Sequence, residues 1–288
     1  MKIIKYFIEF NCIISLFLIF KLIGLKNASN LGSILGRVFG PLFRSKNIVK
    51  KNIEIGLGAI TQAEQNKIIN SMWSNIGRTF AEYVFLKDFR LNRTNFNHIE
   101  IKGIEHLNEI KKSNEPVVFY SGHLANFELM AMELTKFGIK CAAIYRPLNN
   151  FFLNPIMEYL RKKYVCSEQI KKGRSGLKTC IEYLKKNHSI ALMIDQRLGE
   201  GQRVPFFNKE AHTTSLPAQL SSKYNIDIIP VFIEREKNDL FKIIIYKPIN
   251  TSKFKTKSEI TLRLNQILEK MIIKNPDQWI WTHDRWKT

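Results

Sequence analysis

From residue 99 onward the sequence alternates short apolar, β-rich runs with longer amphipathic stretches, and this alternation restricts the fold more than any other feature. Runs at 99–101, 116–120, 139–145, 190–194, 226–234 and 241–246 read as strands. Stretches at 104–112, 126–137, 151–164, 177–186, 217–224 and 258–273 read as helices. Strands separated by helices cannot be closed by tight hairpins. They build a mostly parallel central sheet with helices on its faces, so the expected class is α/β. No internal repeat or linker interrupts the pattern, and residues 27–288 read as one domain.

Upstream, 61–87 has Ile68, Ile69, Met72, Ile76, Phe80 and Val84 near helical spacing. Residues 31–43 are apolar with glycines at 32, 36 and 40, and the chain is then basic through Lys51. Residues 1–26 read as a membrane anchor: 3–25 is mostly apolar around Lys5, Glu9 and Lys21. This length is marginal for a span, so the segment either crosses the bilayer or lies in its interface with its lysines reaching the headgroups. A signal peptide is disfavoured, because Lys21 and Lys26 follow the apolar stretch without an A-x-A site. A buried core helix is the third reading. Basic residues are denser after the segment than before it, which keeps the bulk of the chain cytoplasmic. With only this stretch near spanning length, a multi-span transporter is excluded.

The 288 residues are 45% hydrophobic, a globular composition with enough chain for a sizeable core. Lys and Arg outnumber Asp and Glu by 45 to 25, a formal charge of +20, which calls for a polyanionic partner. Segment 161–186 is locally basic through Arg161, Lys162, Lys163, Lys171, Lys172, Arg174, Lys178, Lys185 and Lys186. Such a patch suits an anionic membrane, a phosphorylated lipid or an acidic protein, and equally a solvated helix face. Nucleic acid is not the expected partner, since the aromatics follow no RNA- or DNA-binding signature. Cys12, Cys141, Cys166 and Cys180 form no C-x-x-C pair and read as buried free thiols, without a disulfide framework or zinc site.

The chemistry-bearing segment runs from Val117 to Glu128, where an apolar strand ends at Ser121-Gly122 and His123 stands at the start of a helix. The carboxyl end of a strand in an open α/β sheet is where ligands bind. His123 and Glu128, five apart, would not share a helix face, so they meet only if His123 sits on the turn and Glu128 reaches back. A carboxylate so placed would fix the imidazole tautomer and support general-base activation of a hydroxyl. The H-x4-E pattern has little specificity alone, and its bland reading is a capping histidine beside an exposed Glu. The other five histidines, His98, His106, His188, His212 and His283, lack the pattern and read as structural or exposed.

Several further blocks follow in order. They are Arg146-Pro147 after the 139–145 run, Asp195-Gln196 after 190–194, Val204-Pro205-Phe206-Phe207 with Thr213-Thr214, Ile229-Pro230-Val231, and the aromatic tail from Trp279 to Lys287. Together with Ser121-Gly122-His123 through Glu128 they resemble the late acyltransferases of lipid A biosynthesis, the lauroyl/myristoyl transferase family within the glycerolipid acyltransferase superfamily. Asn208 departs from the family's glycine after V-P-F-F, and Leu124-Ala125 varies within the H-x4-E block.

The resemblance implies a glycerolipid acyltransferase-like fold at the inner membrane, with the catalytic domain facing the cytoplasm. It implies transfer of a fatty acyl chain from acyl carrier protein to a hydroxyl of a Kdo-bearing lipid A precursor. His123 would be the base and Glu128 would orient it, without a covalent acyl-enzyme, a metal or a cofactor beyond the acyl-carrier co-substrate. Arg146 is a candidate for a phosphate or a developing oxyanion, or for a structural ion pair. Asp195 supports the site by pairing with a basic group or caps a turn. Asn126 bonds the acceptor or caps its helix, and Gln196 joins them as a substrate-binding candidate. Trp279, Trp281 and Trp286 lie at a membrane interface or in the core. The near rival is another lipid acceptor, a lysophospholipid or a glycolipid, and the distant one a non-catalytic basic module for membrane or nucleic acid.

Overall fold

The computed structural model describes residues 2–92, 98–199, 201–236 and 240–287. The chain starts with α1 (Lys2–Ile23), which breaks at Gly24, φ 79°, and turns into α2 (Leu25–Phe39). Then come α3 (Lys46–Leu57), α4 (Gln62–Glu82) and the short α5 (Leu86–Arg90). Thr61 starts α4 with a reciprocal capping box: its hydroxyl accepts from the Glu64 N–H, and Glu64 accepts from the Thr61 N–H. The sequence reads 61–87 as one helix, whereas a 3₁₀ turn at Tyr83–Phe85 divides it.

The alternating part follows as β1 (Ile99–Lys102), α6 (Ile104–Ser113), β2 (Val118–Ser121), α7 (Glu128–Lys136) and β3 (Cys141–Tyr145). Next are α8 (Asn154–Leu160), a widened turn at Arg161–Val165, β4 (Glu168–Lys171), α9 (Arg174–Lys185) and β5 (Ser189–Met193). A hairpin, β6 (Gln202–Phe206) and β7 (Lys209–Thr213), precedes α10 (Leu216–Tyr224), β8 (Ile228–Arg235), β9 (Phe241–Ile245) and α11 (Lys257–Lys274). The expected strands and helices all form, with ends shifted by a few residues. The sequence reading lacks α2, α3, β4 and the hairpin.

Among the described residues the main sheet has the order β1-β9-β8-β2-β5-β3-β4. Strands β8, β2, β5, β3 and β4 run parallel, and β9 turns antiparallel to β8. The α/β expectation therefore holds. Alternation along β2 sorts its side chains: Phe119 enters the core under α5, α6 and α7, while Val118 and Tyr120 enter the core under α9, α10 and α11. Each fully buried large side chain contributes about 1.5–3 kcal/mol.

The first helix packs on this body through buried Phe17 and Phe20, and the Asn150 side chain donates to the Tyr6 carbonyl at 2.9 Å. Its outer face leaves Ile3, Ile4, Phe7, Ile8, Leu18 and Leu22 exposed. Cys12 also lies exposed on α1, while Cys141, Cys166 and Cys180 are buried, and all four are free thiols. Helices α2 and α4 cross at backbone contact: a Cβ on Gly32 would stand 2.4 Å from the Gly77 carbonyl oxygen. The tryptophans of the tail pack inside, with Trp279, Trp281 and Trp286 all buried, which decides for the core over the interface.

Candidate active site

Strand β2 and strand β5 pair in parallel with Ser121 opposite Met193. Extending that register by two residues puts His123 beside Asp195 at the carboxyl edge of the sheet. Both hydrogen bonds expected of such a pair form. His123 Nδ1 and Asp195 Oδ1 are 2.7 Å apart, and the His123 backbone N–H donates to Asp195 Oδ2 at 2.7 Å. Trp279 Nε1 donates to the same Oδ2 at 2.8 Å. Burial of Asp195 opposes its charge, yet the neighbouring His123 and these hydrogen bonds outweigh it and hold the carboxyl down at about 2. An ionised Asp195 only accepts, so the neutral imidazole carries its proton on Nδ1 and leaves the Nε2 lone pair free.

This corrects the role assigned to Glu128. Its carboxylate does not turn back to His123. It accepts from Arg161 Nε at 2.9 Å and from the Arg161 terminal nitrogen at 2.6 Å, at the start of the widened turn after α8. Burial works against the Arg161 charge, but Glu128 raises its pKa, and the guanidinium lies between the rings of Tyr83 and Tyr145. The 33-residue separation of this pair is invisible to local spacing.

The turn carrying His123 is clamped from behind. Ala125 adopts φ 46°, a left-handed conformation that a residue with a Cβ enters at a cost of roughly 1–3 kcal/mol. Its N–H donates to the Gln278 carbonyl at 3.1 Å, and its own carbonyl accepts from Thr79 Oγ1 at 3.0 Å and Asn75 Nδ2 at 3.4 Å, both on α4. Asn126 Nδ2 donates to buried Glu82 at 2.9 Å, and Glu82 also accepts from Arg235 at 2.6 and 2.9 Å and from the Ser29 hydroxyl at 2.8 Å. Burial raises the Glu82 pKa, but the Arg235 charge and these bonds bring it below the ordinary value.

In front of the turn opens a cavity of about 1040 Å³. Phe119, Met130, Ala131, Leu134, Ala143 and Val231, from the sheet and α7, give part of its wall an apolar lining. Leu198, Gly199, Gly201, Thr214, Ser215 and Gln219 also line it. His123, Glu128, Arg161, Arg146 and Gln196 all line the cavity. Arg146 follows β3, two strands from β2, which sets it roughly 10 Å along the sheet edge from His123. It makes no ion pair among the described residues, which removes the structural-pair alternative. Lys172, at the matching position after β4, donates its N–H to the Tyr145 carbonyl, and its ammonium pKa is lowered by burial and by Arg146.

Two expected substrate-binding residues stand elsewhere. Asn126 is buried behind the turn on Glu82 and does not line the cavity, because the positive φ of Ala125 rotates the chain before α7 begins. Asp195 is buried beneath His123 and acts on it, which is the pairing alternative. The sequence reading also missed His283, which lines the cavity from the C-terminal tail, and Arg161 as the partner of Glu128. The tail's clustering of Trp, His and Arg was the signal for the first. Of the basic segment, the Arg174 side chain lies outside the described residues. Among the described residues no group of three His, Cys, Asp or Glu side chains converges as a metal site.

The chain is similar to known proteins over most of its length. A family model described as bacterial lipid A biosynthesis acyltransferase matches residues 1–288. The lipid A biosynthesis lauroyltransferase of Escherichia coli (strain K12) is 24% identical over 85% of this chain and 80% of its own length. The palmitoleoyltransferase of the same organism is 25% identical over 90% of this chain and 84% of its own. The crystal structure of the 1-acyl-sn-glycerophosphate acyltransferase PlsC from Thermotoga maritima aligns with a TM-score of 0.43 at 14% identity, covering 85% of this chain and 97% of that one.

Proposed function

The chain belongs to the bacterial lipid A biosynthesis acyltransferase family, and on that premise we propose that it moves a fatty acyl group from the thioester of acyl carrier protein to a hydroxyl of a Kdo-bearing lipid A precursor. The observation that carries the mechanism is the 2.7 Å contact between His123 Nδ1 and buried Asp195 at the edge of the cavity. His123 Nε2 takes the proton of the acceptor hydroxyl while its oxygen bonds to the thioester carbonyl carbon. The carbon–sulfur bond then breaks, and the imidazolium returns the proton to the leaving thiolate. Asp195 keeps the reactive tautomer in place and offsets the charge on the ring.

The apolar wall formed by the sheet and α7 takes the acyl chain. Arg146 and Lys172 supply positive charge at the rim for a phosphorylated acceptor. Glu128 holds Arg161 in the cavity wall. The basic face of 161–186 suits the acidic carrier protein. The reaction needs no cofactor beyond the acyl-carrier co-substrate.

The first helix is 22 residues long, and a mean hydropathy of 2.0 makes it long and apolar enough to cross a membrane. At 1.5 Å per residue it spans about 33 Å, close to a bilayer core. Ile34, Val38 and Phe39 of α2 are exposed as well, as are Leu42 and Phe43, and the next residue, Arg44, lines the cavity. We place this face in the inner membrane and the catalytic domain on its cytoplasmic side. A lipid acceptor then reaches the cavity from the bilayer surface.

The test incubates wild type and His123→Ala with acyl carrier proteins bearing chains from ten to eighteen carbons and a Kdo-lipid A precursor, followed by mass spectrometry. One added acyl mass with wild type alone is the expected result. Transfer to a lysophospholipid instead would overturn the acceptor and keep the chemistry.

A further inference from the structure

A second imidazole shares the cavity. His283 lines the same cavity as His123, and its Nε2 accepts a hydrogen bond of 2.8 Å from the backbone N–H of Arg197. A backbone amide can only donate. Nε2 is therefore the bare nitrogen, and the proton of the neutral ring sits on Nδ1. Arg197 follows Asp195 by two residues, so the ring is tied to the loop that carries the dyad's carboxylate. The His283 backbone is fixed as well, since its carbonyl accepts from buried Asn52 at 2.7 Å and from the Arg285 N–H at 2.8 Å.

Nδ1–H, in contrast, has no protein partner among the described residues. Burial, above all, keeps the ring neutral, pushing its pKa down to about 4, and the charges of Arg285 and His123 act in the same direction against Asp195. The two rings are thus hydrogen-bonded in opposite senses: the Asp195 contact leaves His123 Nε2 to offer a lone pair, and the Arg197 bond leaves His283 to offer a proton at Nδ1.

Resting on the acyl-transfer reading above, we infer that His283 Nδ1–H donates a hydrogen bond to an oxygen of the bound substrate, either the thioester carbonyl as it gains charge or an oxygen of the acceptor headgroup. A donor held rigid on both sides needs no reorganisation as charge develops. Its neutrality adds no charge beside Arg44, Arg146, Arg161 and Lys172, which already line the cavity.

Two substitutions separate this role from a structural one. His283→Gln sets an amide oxygen near the Nε2 position, keeps the Arg197 bond and removes the Nδ1 donor. His283→Asn sets an amide near the Nδ1 position and gives up the Arg197 bond. Steady-state kinetics use the acceptor that wild type acylates, with rates taken per folded protein from thermal unfolding. His283→Gln is expected to unfold like wild type and to lose activity, while His283→Asn is less stable and more active. A fall in kcat of about 100-fold assigns the carbonyl oxygen. A rise in KM with kcat intact assigns the headgroup. Wild-type kcat and KM in folded His283→Gln overturn the inference. Should neither variant fold, the Nδ1–H proton resonance of wild type is followed on adding acyl carrier protein and then lipid: a downfield shift supports the donor, and an unmoved resonance overturns it. Wild type that acylates no lipid A precursor defeats the functional reading instead, and the resonance experiment distinguishes the two failures.

Discussion

Glu82 and Asn126 are joined by a 2.9 Å hydrogen bond although they lie 44 residues apart and neither lines the cavity. The bond ties the helix that crosses α2 to the turn that presents His123. Because Arg235 and Ser29 bond the same carboxylate, the turn is anchored by charge as well as by backbone contacts.

Glu82→Ala leaves the Arg235 guanidinium buried without its counter-charge. Breaking one side of such a pair costs about 3–5 kcal/mol, measured by denaturant unfolding. Asn126→Ala costs about 1.5–3 kcal/mol through the lost hydrogen bond to a charged carboxylate and leaves KM for both substrates unchanged. A KM rise for the acceptor without loss of stability would return Asn126 to the substrate-binding role.

Asp195→Asn removes the acceptor that fixes the His123 tautomer. The rate is expected to fall roughly 10²–10⁴-fold with the fold intact. Imidazole ¹⁵N spectra report the tautomer directly: Asp195→Asn changes the His123 pattern, and Glu128→Gln leaves it as in wild type. The reverse assignment would restore Glu128 as the orienting carboxylate.

His283 makes folding sensitive to acid. Its pKa is about 4 in the folded chain against an ordinary 6.5, so between these values the unfolded chain takes up a proton that the folded ring refuses. Stability is full above about 6.5 and falls as the pH drops toward about 4. Asp195 acts in a lower window, its contribution being lost as pH falls from 3.8 toward about 2. A plot of Tm against pH should therefore be flatter between about 4 and 6.5 for His283→Gln than for wild type, and parallel curves would contradict the assignment.

Gly77→Ala tests the crossing of α2 and α4. A Cβ there would stand 2.0 Å from the Gly32 carbonyl oxygen, and both atoms belong to helical backbone that cannot step aside locally. The helices must separate, at about 1–3 kcal/mol. An unchanged unfolding midpoint would mean that the crossing is looser than described.

Local patterns in the sequence determine six strands of the main sheet, the helices between them, the break at Ser121-Gly122 and the two polar residues that follow β2 and β5, but not β4 or the hairpin. Those features depend on periodicity and on chain stiffness within a few residues, which any contiguous stretch displays. The partner of His123 was decided elsewhere. Glu128 is near in sequence, but the left-handed Ala125 swings it toward Arg161, whereas Asp195, 72 residues on, is brought alongside by the parallel register of β2 and β5. His283 lines the cavity while the tryptophans beside it are buried, an outcome of packing that no local spacing encodes. Sheet register and core packing join residues by proximity in space, and so they decided which side chains meet in the site.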